Sequence, residues 1–270
     1  MFEAGLLSVI ILSLIQGLTE FLPVSSSGHL ILVPKLLNLE NFGLAFDAFL
    51  HLGTLFAVLI YFRKDVVHLI MGTLGLKKTY SKLAWGIFFA TLPVVALGFG
   101  FKEFFESSFV RSIDFVAYTL IAGSILIYVA EKFFKSTKNI SELGFMQIIF
   151  IGLMQCLALM PGMSRSGSTI AAGIFTGLKK DEAARFSFLL GLPAIAGAGL
   201  LAVKDMLESP ELNLSYFDLG LGFVLSFISG FLAIEFLLKF LQTKSLTVFV
   251  VYRIIIAALL LILSRSGIIL

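Results

Sequence analysis

The chain has 270 residues, of which 59% are hydrophobic and only 14% charged, and its mean hydropathy is +1.03. These values lie far beyond the roughly half-apolar composition of soluble domains and place most of the chain in lipid. The net charge of +3 and the single cysteine, Cys156, give no reason to expect a nucleic-acid partner, a disulfide or a thiolate metal cluster. We therefore expect one all-α, polytopic membrane domain over residues 1–270.

The first apolar segment, residues 6–39, predicts a re-entrant helical hairpin. Its outgoing run ends at Pro23, its polar tip is the SSSGH sequence of residues 25–29, and its return ends near Leu37. The return is too short to cross a bilayer, and non-helical backbone at membrane depth requires protein or water around it. We do not expect this segment to be a cleaved signal peptide, because basic residues do not precede the apolar run and because Glu20 interrupts it.

The next three apolar stretches are each long enough to cross a membrane once, and they cover residues 46–62, 84–101 and 115–130. The connections 63–83 and 131–144 are basic and are expected in the cytoplasm, whereas 102–114 leans acidic and is expected outside. Residues 1–130 would then form one structural repeat.

The second part of the chain repeats this order. Residues 145–178 contain two apolar runs split by the PGMSRSG sequence of residues 161–167, which predicts a second re-entrant hairpin. Three further spans follow, and the connections between them place 179–185 and 239–245 inside and 204–216 outside. The predicted spans are 186–203, 217–238 and 247–264, within a second repeat of residues 145–264.

The two hairpin tips also match at a constant offset of 139 residues, as in Gln16 with Gln155, Ser25 with Ser164 and Gly28 with Gly167. A re-entrant hairpin returns to the side from which it entered, so each half crosses the membrane three times. Because three is an odd number, the second half would have the opposite orientation in the membrane. The sequence therefore predicts an inverted-topology repeat in which two polar tips meet within the bilayer.

Polar side chains concentrate at these tips. Gln16 and Glu20 are four residues apart on one helix face, and three serines and His29 follow the Pro23 break. The second tip adds Arg165, which costs about 2.5–3.5 kcal/mol at membrane depth unless it is paired or functional. Its partner is either Glu20 or an anionic ligand. Because both return helices would begin at a tip, their N-termini favour a phosphate-like ligand.

With these residues in view, the chain resembles the bacterial undecaprenyl-diphosphatase (bacitracin-resistance) family. The resemblance rests on Gln16-x-x-x-Glu20 followed by PVSSSGH, and on the Pro161-Gly162-Met163-Ser164-Arg165-Ser166-x-x-Thr169 motif. It implies removal of the terminal phosphate of undecaprenyl diphosphate, which recycles the lipid carrier of peptidoglycan synthesis and confers bacitracin resistance. It further implies the bacterial inner membrane and a site that opens to the extracytoplasmic side.

Carried onto this chain, the resemblance implies catalytic roles for Glu20, Ser26, His29 and Arg165. We further expect substrate binding by Gln16, Ser25, Ser27, Ser164, Ser166 and Thr169, and a divalent cation, Mg²⁺ or Ca²⁺, held near Glu20 and Gln16. Many relatives have glutamate where this chain has the neutral Gln16, which shifts acid–base work to Glu20 and His29. We expect Ser26 to attack the terminal phosphorus, with direct attack by water as the rival.

Several alternatives stay open at this point. A secondary transporter or flippase of a lipid phosphate or small anion would share the inverted architecture, although it would not need these hydroxyls beside a base. A structural scaffold, serines that only allow close helix packing, and a purely structural Arg165–Glu20 pair are the plainer interpretations. The oligomeric state is open, with a homodimer as one alternative. We expect Asp47 and His51 to play a supporting role.

The pattern also predicts an ion pair between Glu235 and Arg253, which lie on consecutive helices.

Overall fold

A computed structural model describes residues 2–40, 42–208 and 214–266. The chain is helical over these residues and forms no β-sheet there. Five residues of the predicted connection 204–216, residues 209–213, lie outside the described residues. The α-helices in chain order are α1 (Phe2–Phe21), α2 (Ser26–Leu37), α3 (Gly43–Tyr61), α4 (Arg63–Thr73), α5 (Lys78–Gly100), α6 (Lys102–Glu106), α7 (Ile113–Phe133), α8 (Phe145–Gln155), α9 (Arg165–Phe175), α10 (Lys180–Glu208), α11 (Tyr216–Leu241) and α12 (Thr247–Arg265).

Six helices within the described residues are long and apolar enough to cross a membrane. They are α3, α5, α7, α10, α11 and α12, and each contains most or all of one of the six stretches predicted to span. The prediction of an all-helical polytopic protein is therefore confirmed. Several helices run beyond their apolar stretch, because backbone hydrogen bonding continues where hydropathy has already fallen.

Two pairs of helices are broken rather than continuous. The first pair is α1 and α2, which are separated by a turn at residues 22–25; this turn and residues 26–29 together are called the first tip. The second pair is α8 and α9, which are separated by a short 3-10 turn at Cys156–Leu159 and by residues 160–164; residues 160–167 are called the second tip. The return helices α2 and α9 have 12 and 11 residues, which is shorter than a bilayer requires.

The broken helices pack against spans from the other half of the chain. Helix α1 lies against α11, and α8 lies against α5, while α7 packs on α12 and α3 on α10. The α1–α11 contact is so close that a Cβ on Gly17 would lie 1.9 Å from the hydroxyl of Ser229. The two halves are therefore interleaved, and both tips are brought into the middle of the bundle.

Four connecting segments meet at one end of the bundle, called here the basic end. Lys180 contacts Glu131 at 3.2 Å, Ser245 donates to Glu131 at 2.7 Å, and the backbone N–H of Ile140 donates to Glu182 at 2.9 Å. Arg185 pairs with Asp65 of α4. All four segments were predicted to lie on one side. The prediction that 63–83 is simply a loop is wrong, because α4 forms within it and packs on α5.

Candidate active site

Both tips are built by the same local device. Ser25 and Ser164 have the unusual φ values of 75° and 72°, and each precedes the first residue of a return helix. The Ser25 hydroxyl accepts the N–H of Gly28 at 3.3 Å, and the Ser164 hydroxyl accepts the N–H of Gly167 at 3.1 Å. A serine that caps a helix from a left-handed backbone reverses the chain sharply while satisfying one exposed N–H group.

The two tips are joined directly. The N–H of Gly162 donates to the Ser25 hydroxyl at 3.1 Å, and the Ser166 hydroxyl donates to the carbonyl of Leu22 at 3.0 Å. Gly162 has a φ of 95°, and a Cβ there would lie 2.0 Å from the hydroxyl of Thr119 on α7. The contact between the tips therefore depends on the glycine at this position.

A buried guanidinium holds both tips in place. Arg253 on α12 is fully buried and donates to the carbonyls of Pro23, Gly162 and Met163 at 2.9–3.2 Å. It also bonds the Leu120 carbonyl and the Ser124 hydroxyl of α7. Broken helices leave carbonyls without intrahelical partners, and this cation satisfies several of them.

The predicted ion pair between Arg253 and Glu235 is wrong. Glu235 instead bonds Lys239 at 2.6 Å, one helical turn along α11. Arg253 points into the protein because the carbonyls of the two tips offer it a denser set of acceptors than one half-exposed carboxylate does.

Glu20 lies at the centre of the polar cluster, at the end of α1. Its Oε1 accepts from Arg165 Nη2 at 2.8 Å, and its Oε2 accepts from the Ser26 hydroxyl at 2.7 Å. Oε2 also accepts from Gln16 Nε2 at 3.1 Å and lies 3.4 Å from His51 Nε2. One buried carboxylate therefore connects both tips, α1 and α3.

A cavity of about 370 Å³ opens beside this cluster. Its polar floor consists of Glu20, His51, Gln155 and Arg165. From there the cavity runs between α5 and α10 toward Lys102 and Glu106, away from the basic end, and its walls are mainly apolar. A polar floor beneath apolar walls suits an amphipathic ligand with an anionic head.

Among the residues that the structure describes, neither Nε2 nor Oε1 of Gln155 has a hydrogen-bond partner, although the residue is only 1% exposed. Gln16, which lies 139 positions earlier, has a partner for Nε2 but none among the described residues for the buried Oε1. A buried amide without partners costs about 1–3 kcal/mol per group, so such groups in a native fold call for an explanation. For Gln155, which lines the cavity, a ligand bound there would supply one.

Most of the predicted serine and threonine ligands bond to the protein itself. Ser25 and Ser164 cap helices, Ser166 bonds Leu22, and Thr169 bonds the Arg165 carbonyl at 2.8 Å and the Ser187 hydroxyl at 2.6 Å. Ser27 contacts the Ser25 hydroxyl at 3.3 Å. These hydroxyls therefore stabilise the two tips. Among the serine and threonine hydroxyls of the tips, the one that donates to the Glu20 carboxylate is that of Ser26.

His29 lies apart from Glu20. Its Nδ1 bonds the Ser25 carbonyl and its Nε2 bonds the Tyr252 hydroxyl, both at 2.7 Å. Of the two residues expected to take part in acid–base work, His29 and Glu20, it is Glu20 that accepts the hydrogen bond of the Ser26 hydroxyl. His51 is the histidine that faces the cavity, and its Nδ1 bonds the backbone carbonyl of Asp47 at 2.8 Å.

The donor set around Glu20 fits a cation that is held partly by a ligand. In the part of the chain that the structure describes, no three His, Cys, Asp or Glu side chains form a metal-binding group. The oxygen donors of this region are the Glu20 carboxylate and the buried Gln16 Oε1, which has no partner among the described residues, although the atom of Gln16 that bonds Glu20 is Nε2. Mg²⁺ is commonly held by one or two protein oxygens, with substrate phosphates and water completing its shell.

Three residues of this region were missed or underrated from the sequence. Arg253 was assigned to another partner, His51 was expected to act only from a distance, and Gln155 was noticed only as a repeat position. The sequence did contain a signal that Gln155 is functional. A glutamine among apolar residues and next to a helix break has few hydrogen-bond partners within a membrane, so its presence there indicates a ligand or a specific polar contact.

The chain was compared with known proteins. The family model described as bacitracin resistance protein BacA matches residues 9–259. An undecaprenyl-diphosphatase of Myxococcus xanthus (strain DK1622) is 42% identical to this chain over an alignment of 270 positions, which covers 97% of this chain and 90% of that protein.

Proposed function

This chain belongs to the bacitracin resistance protein BacA family, and we propose that it is an integral membrane phosphatase that hydrolyses undecaprenyl diphosphate to undecaprenyl phosphate and phosphate. The observation that carries the proposal is the Glu20 carboxylate, which bonds the Ser26 hydroxyl on one oxygen and the Arg165 guanidinium on the other. A base and an anion-binding group thus lie at the floor of one cavity, and the proposed nucleophile is hydrogen-bonded to that base.

Arg165 and Gln155 bind the diphosphate. Arg165 uses Nη2 for Glu20 and Nη1 for the Ser187 carbonyl at 3.3 Å, and a guanidinium has five N–H donors. The remaining donors and the free Gln155 amide face the phosphate oxygens. The first N–H groups of α2 and α9 add positive helix ends to the same place. Phosphoryl transfer depends mainly on such positioning and charge stabilisation.

Ser26 acts as the nucleophile. Its hydroxyl oxygen forms a bond to the terminal phosphorus while its proton passes to Glu20 Oε2, 2.7 Å away. The bond between the terminal phosphorus and the bridging oxygen breaks, and undecaprenyl phosphate leaves. Glu20 passes this proton to the oxygen of the departing undecaprenyl phosphate and is a carboxylate again. It then takes a proton from water, whose oxygen attacks the phosphoserine phosphorus, and gives that proton to the Ser26 oxygen as its bond to phosphorus breaks and phosphate leaves. His29 acts through the tip, because it bonds the carbonyl of Ser25, next to the nucleophile.

Glu20 and Gln16 would hold a divalent cation, Mg²⁺ or Ca²⁺, together with the substrate. When bound there, such a cation would neutralise charge on the diphosphate oxygens. The support is the unpartnered Gln16 Oε1 beside the Glu20 carboxylate.

The fold is proposed to be an inverted-topology repeat, with re-entrant hairpins over residues 6–39 and 145–178 in halves 1–130 and 145–264. Matching capped tips, two short return helices, and the packing of each broken helix on a span of the other half support it.

The basic end is proposed to face the cytoplasm of a bacterial inner membrane, because positive segments stay inside. The cavity runs away from that end, which favours an extracytoplasmic opening.

The test is phosphate release from a long-chain polyprenyl diphosphate by the purified protein, with and without divalent cations. Glu20→Gln and Arg165→Gln should lower kcat/KM by at least about a hundredfold, a typical loss for a group acting in acid–base or charge stabilisation. The matched controls are Glu235→Gln and Arg185→Gln, which make the same changes at residues that do not line the cavity and should leave kcat/KM nearly unchanged. No release under any condition, together with anion uptake by proteoliposomes, would favour a transporter instead.

A further inference from the structure

The residue before the proposed nucleophile has a strained backbone. Ser25 has a φ of 75°, which lies in the left-handed region that residues with a Cβ rarely adopt and that persists only where surrounding contacts hold it. The Ser25 hydroxyl accepts the N–H groups of Gly28 and Gly162. Its carbonyl accepts the backbone N–H of His29 at 3.2 Å and a second bond, from His29 Nδ1, at 2.7 Å. The position of Ser26, the next residue, depends on these contacts.

The imidazole ring of His29 is held at both nitrogens. A carbonyl oxygen only accepts hydrogen bonds, so Nδ1 carries the proton in the bond to Ser25. In the neutral ring Nε2 is then an acceptor, and it lies 2.7 Å from the hydroxyl of Tyr252 on α12, which donates to it. The two rings are also nearly parallel, with an angle of 4° and centroids 5.7 Å apart. The Tyr252 phenol therefore fixes both the orientation and the tautomer of this imidazole.

The second tip shows that a tip can form without such an imidazole. Ser164 has nearly the same φ, 72°, and its carbonyl accepts the backbone N–H of Ser168 at 2.9 Å. Ser168 lies 139 positions after His29, and its buried hydroxyl has no hydrogen-bond partner among the residues that the structure describes. The backbone of a tip therefore does not require the extra side-chain bond. That bond is found at the tip that carries the proposed nucleophile.

Two consecutive residues of α12 hold the first tip on the two sides of Ser26. Arg253 donates to the carbonyl of Pro23, before the nucleophile, and Tyr252 donates to His29, after it. Arg253 is fully buried, whereas Tyr252 is 40% exposed and reaches the tip from the surface of α12. The segment that presents the Ser26 hydroxyl is thus fixed from one helix at both of its ends.

We propose that Tyr252 is a positioning residue for the reaction, which acts through His29 on the Ser25 carbonyl and so on the backbone that presents the Ser26 hydroxyl. The proposal rests on the phosphatase function above, with Ser26 as the nucleophile. Tyr252 does not need to touch the substrate. A small displacement of a nucleophile lowers the rate of the chemical step strongly, whereas the groups that bind the diphosphate stay in place. Loss of the Tyr252 hydroxyl should therefore lower kcat rather than raise KM.

Kinetics of the full-length protein test the role of this hydroxyl. Tyr252→Phe removes one oxygen atom and keeps the ring that stacks on His29. It should lower kcat for phosphate release from a long-chain polyprenyl diphosphate by about tenfold and leave KM within about twofold. The matched control is Tyr128→Phe on α7, which removes the same atom from a tyrosine of similar exposure, 45%, and should leave kcat and KM unchanged. A merely structural contact would lower the melting temperature in detergent and leave kcat of the folded protein unchanged.

A spectroscopic measurement tests the hydrogen bond itself. The chain has three histidines, so labelling histidine with ¹⁵N gives three imidazoles, and a His29→Asn protein identifies the resonances of His29. In the unchanged protein at about pH 8, above the usual pKa of imidazole, Nδ1 of His29 should carry a proton and Nε2 should not. Tyr252→Phe should shift the Nε2 resonance of His29 and leave those of His51 and His68 in place. A proton on Nε2 of the unchanged protein overturns the proposal even where Tyr252→Phe does not fold.

The outcomes separate this proposal from the function itself. A Tyr252→Phe protein that keeps its kcat overturns the positioning role, while its phosphate release leaves the phosphatase function intact. A lower kcat with an unmoved His29 resonance also overturns it, because the effect would then not pass through His29. A lower kcat together with the shifted resonance supports it. If the unchanged protein releases no phosphate, the phosphatase function fails, and any role of Tyr252 in that reaction fails with it.

Discussion

Replacing Gln155 by leucine should make the protein more stable and less active. The Gln155 amide is buried with no partner for Nε2 or Oε1, and each such group costs about 1–3 kcal/mol. Leucine has a similar volume and no polar atoms, so the ligand-free protein should gain about 1–3 kcal/mol. The substrate would meanwhile lose a hydrogen bond to a charged oxygen, which is worth about 1.5–3 kcal/mol, or about 10- to 150-fold in kcat/KM.

The same helix provides the control. Gln147 donates to the Thr176 carbonyl at 3.1 Å and accepts the N–H of Gly144 at 2.8 Å, so its amide is satisfied by the protein. Gln147→Leu should therefore lower thermal stability and leave kcat/KM unchanged, the reverse pattern. Thermal unfolding in detergent and phosphate release from a polyprenyl diphosphate measure the two effects. A Gln155→Leu protein whose kcat/KM stays within about twofold of the unchanged protein would refute the assignment of this amide to the ligand.

Three further changes test the cluster. Ser26→Ala should abolish turnover and also the phosphate that acid quenching traps on the protein, whereas Ser27→Ala should keep both. A Ser26→Ala protein that works near the full rate would instead favour direct attack by water. Arg253→Met should cost about 3–5 kcal/mol of stability, because it strands buried carbonyls of both tips, and Arg253→Lys should restore only part of the melting temperature. Glu20→Gln and Arg165→Gln should be strongly non-additive in stability when combined, because each single change leaves the other charge buried alone; additive losses in a double-mutant cycle would contradict the pairing.

The spans were predictable because lipid imposes a simple requirement on sequence. About 20 apolar residues are needed to cross, and that requirement located all six candidate spans. Their ends were less predictable, since α10 begins at Lys180 and α5 at Lys78, both before the apolar stretch. Charged residues at a membrane interface do not interrupt helical hydrogen bonding. For the same reason, hydropathy did not predict α4, which forms inside a basic segment.

The site was predictable where charge required it. Arg165 and Glu20 had to be paired or bound to a ligand, and the structure pairs them at 2.8 Å. The environment of Arg253 was not predictable in this way, because its partners are mostly carbonyl groups, which every residue carries. His29 and His51 show the same limit. Sequence placed His29 at the first tip and gave His51 only a supporting role on a span, but the packing of α3 against the rest of the bundle turns His51 toward Glu20.

The offset of 139 residues connects the architecture with the chemistry. Ser26 and Arg165 occupy the same position, the first residue of the return helix, in the two halves. Their side chains bond the two oxygens of one carboxylate, at 2.7 Å and 2.8 Å. Because the tips share a backbone but differ at this position, one tip presents a hydroxyl and the other a cation to the same carboxylate. Under the proposed repeat, Glu20 itself corresponds to Leu159 in the second half, so the two halves supply different groups to one site.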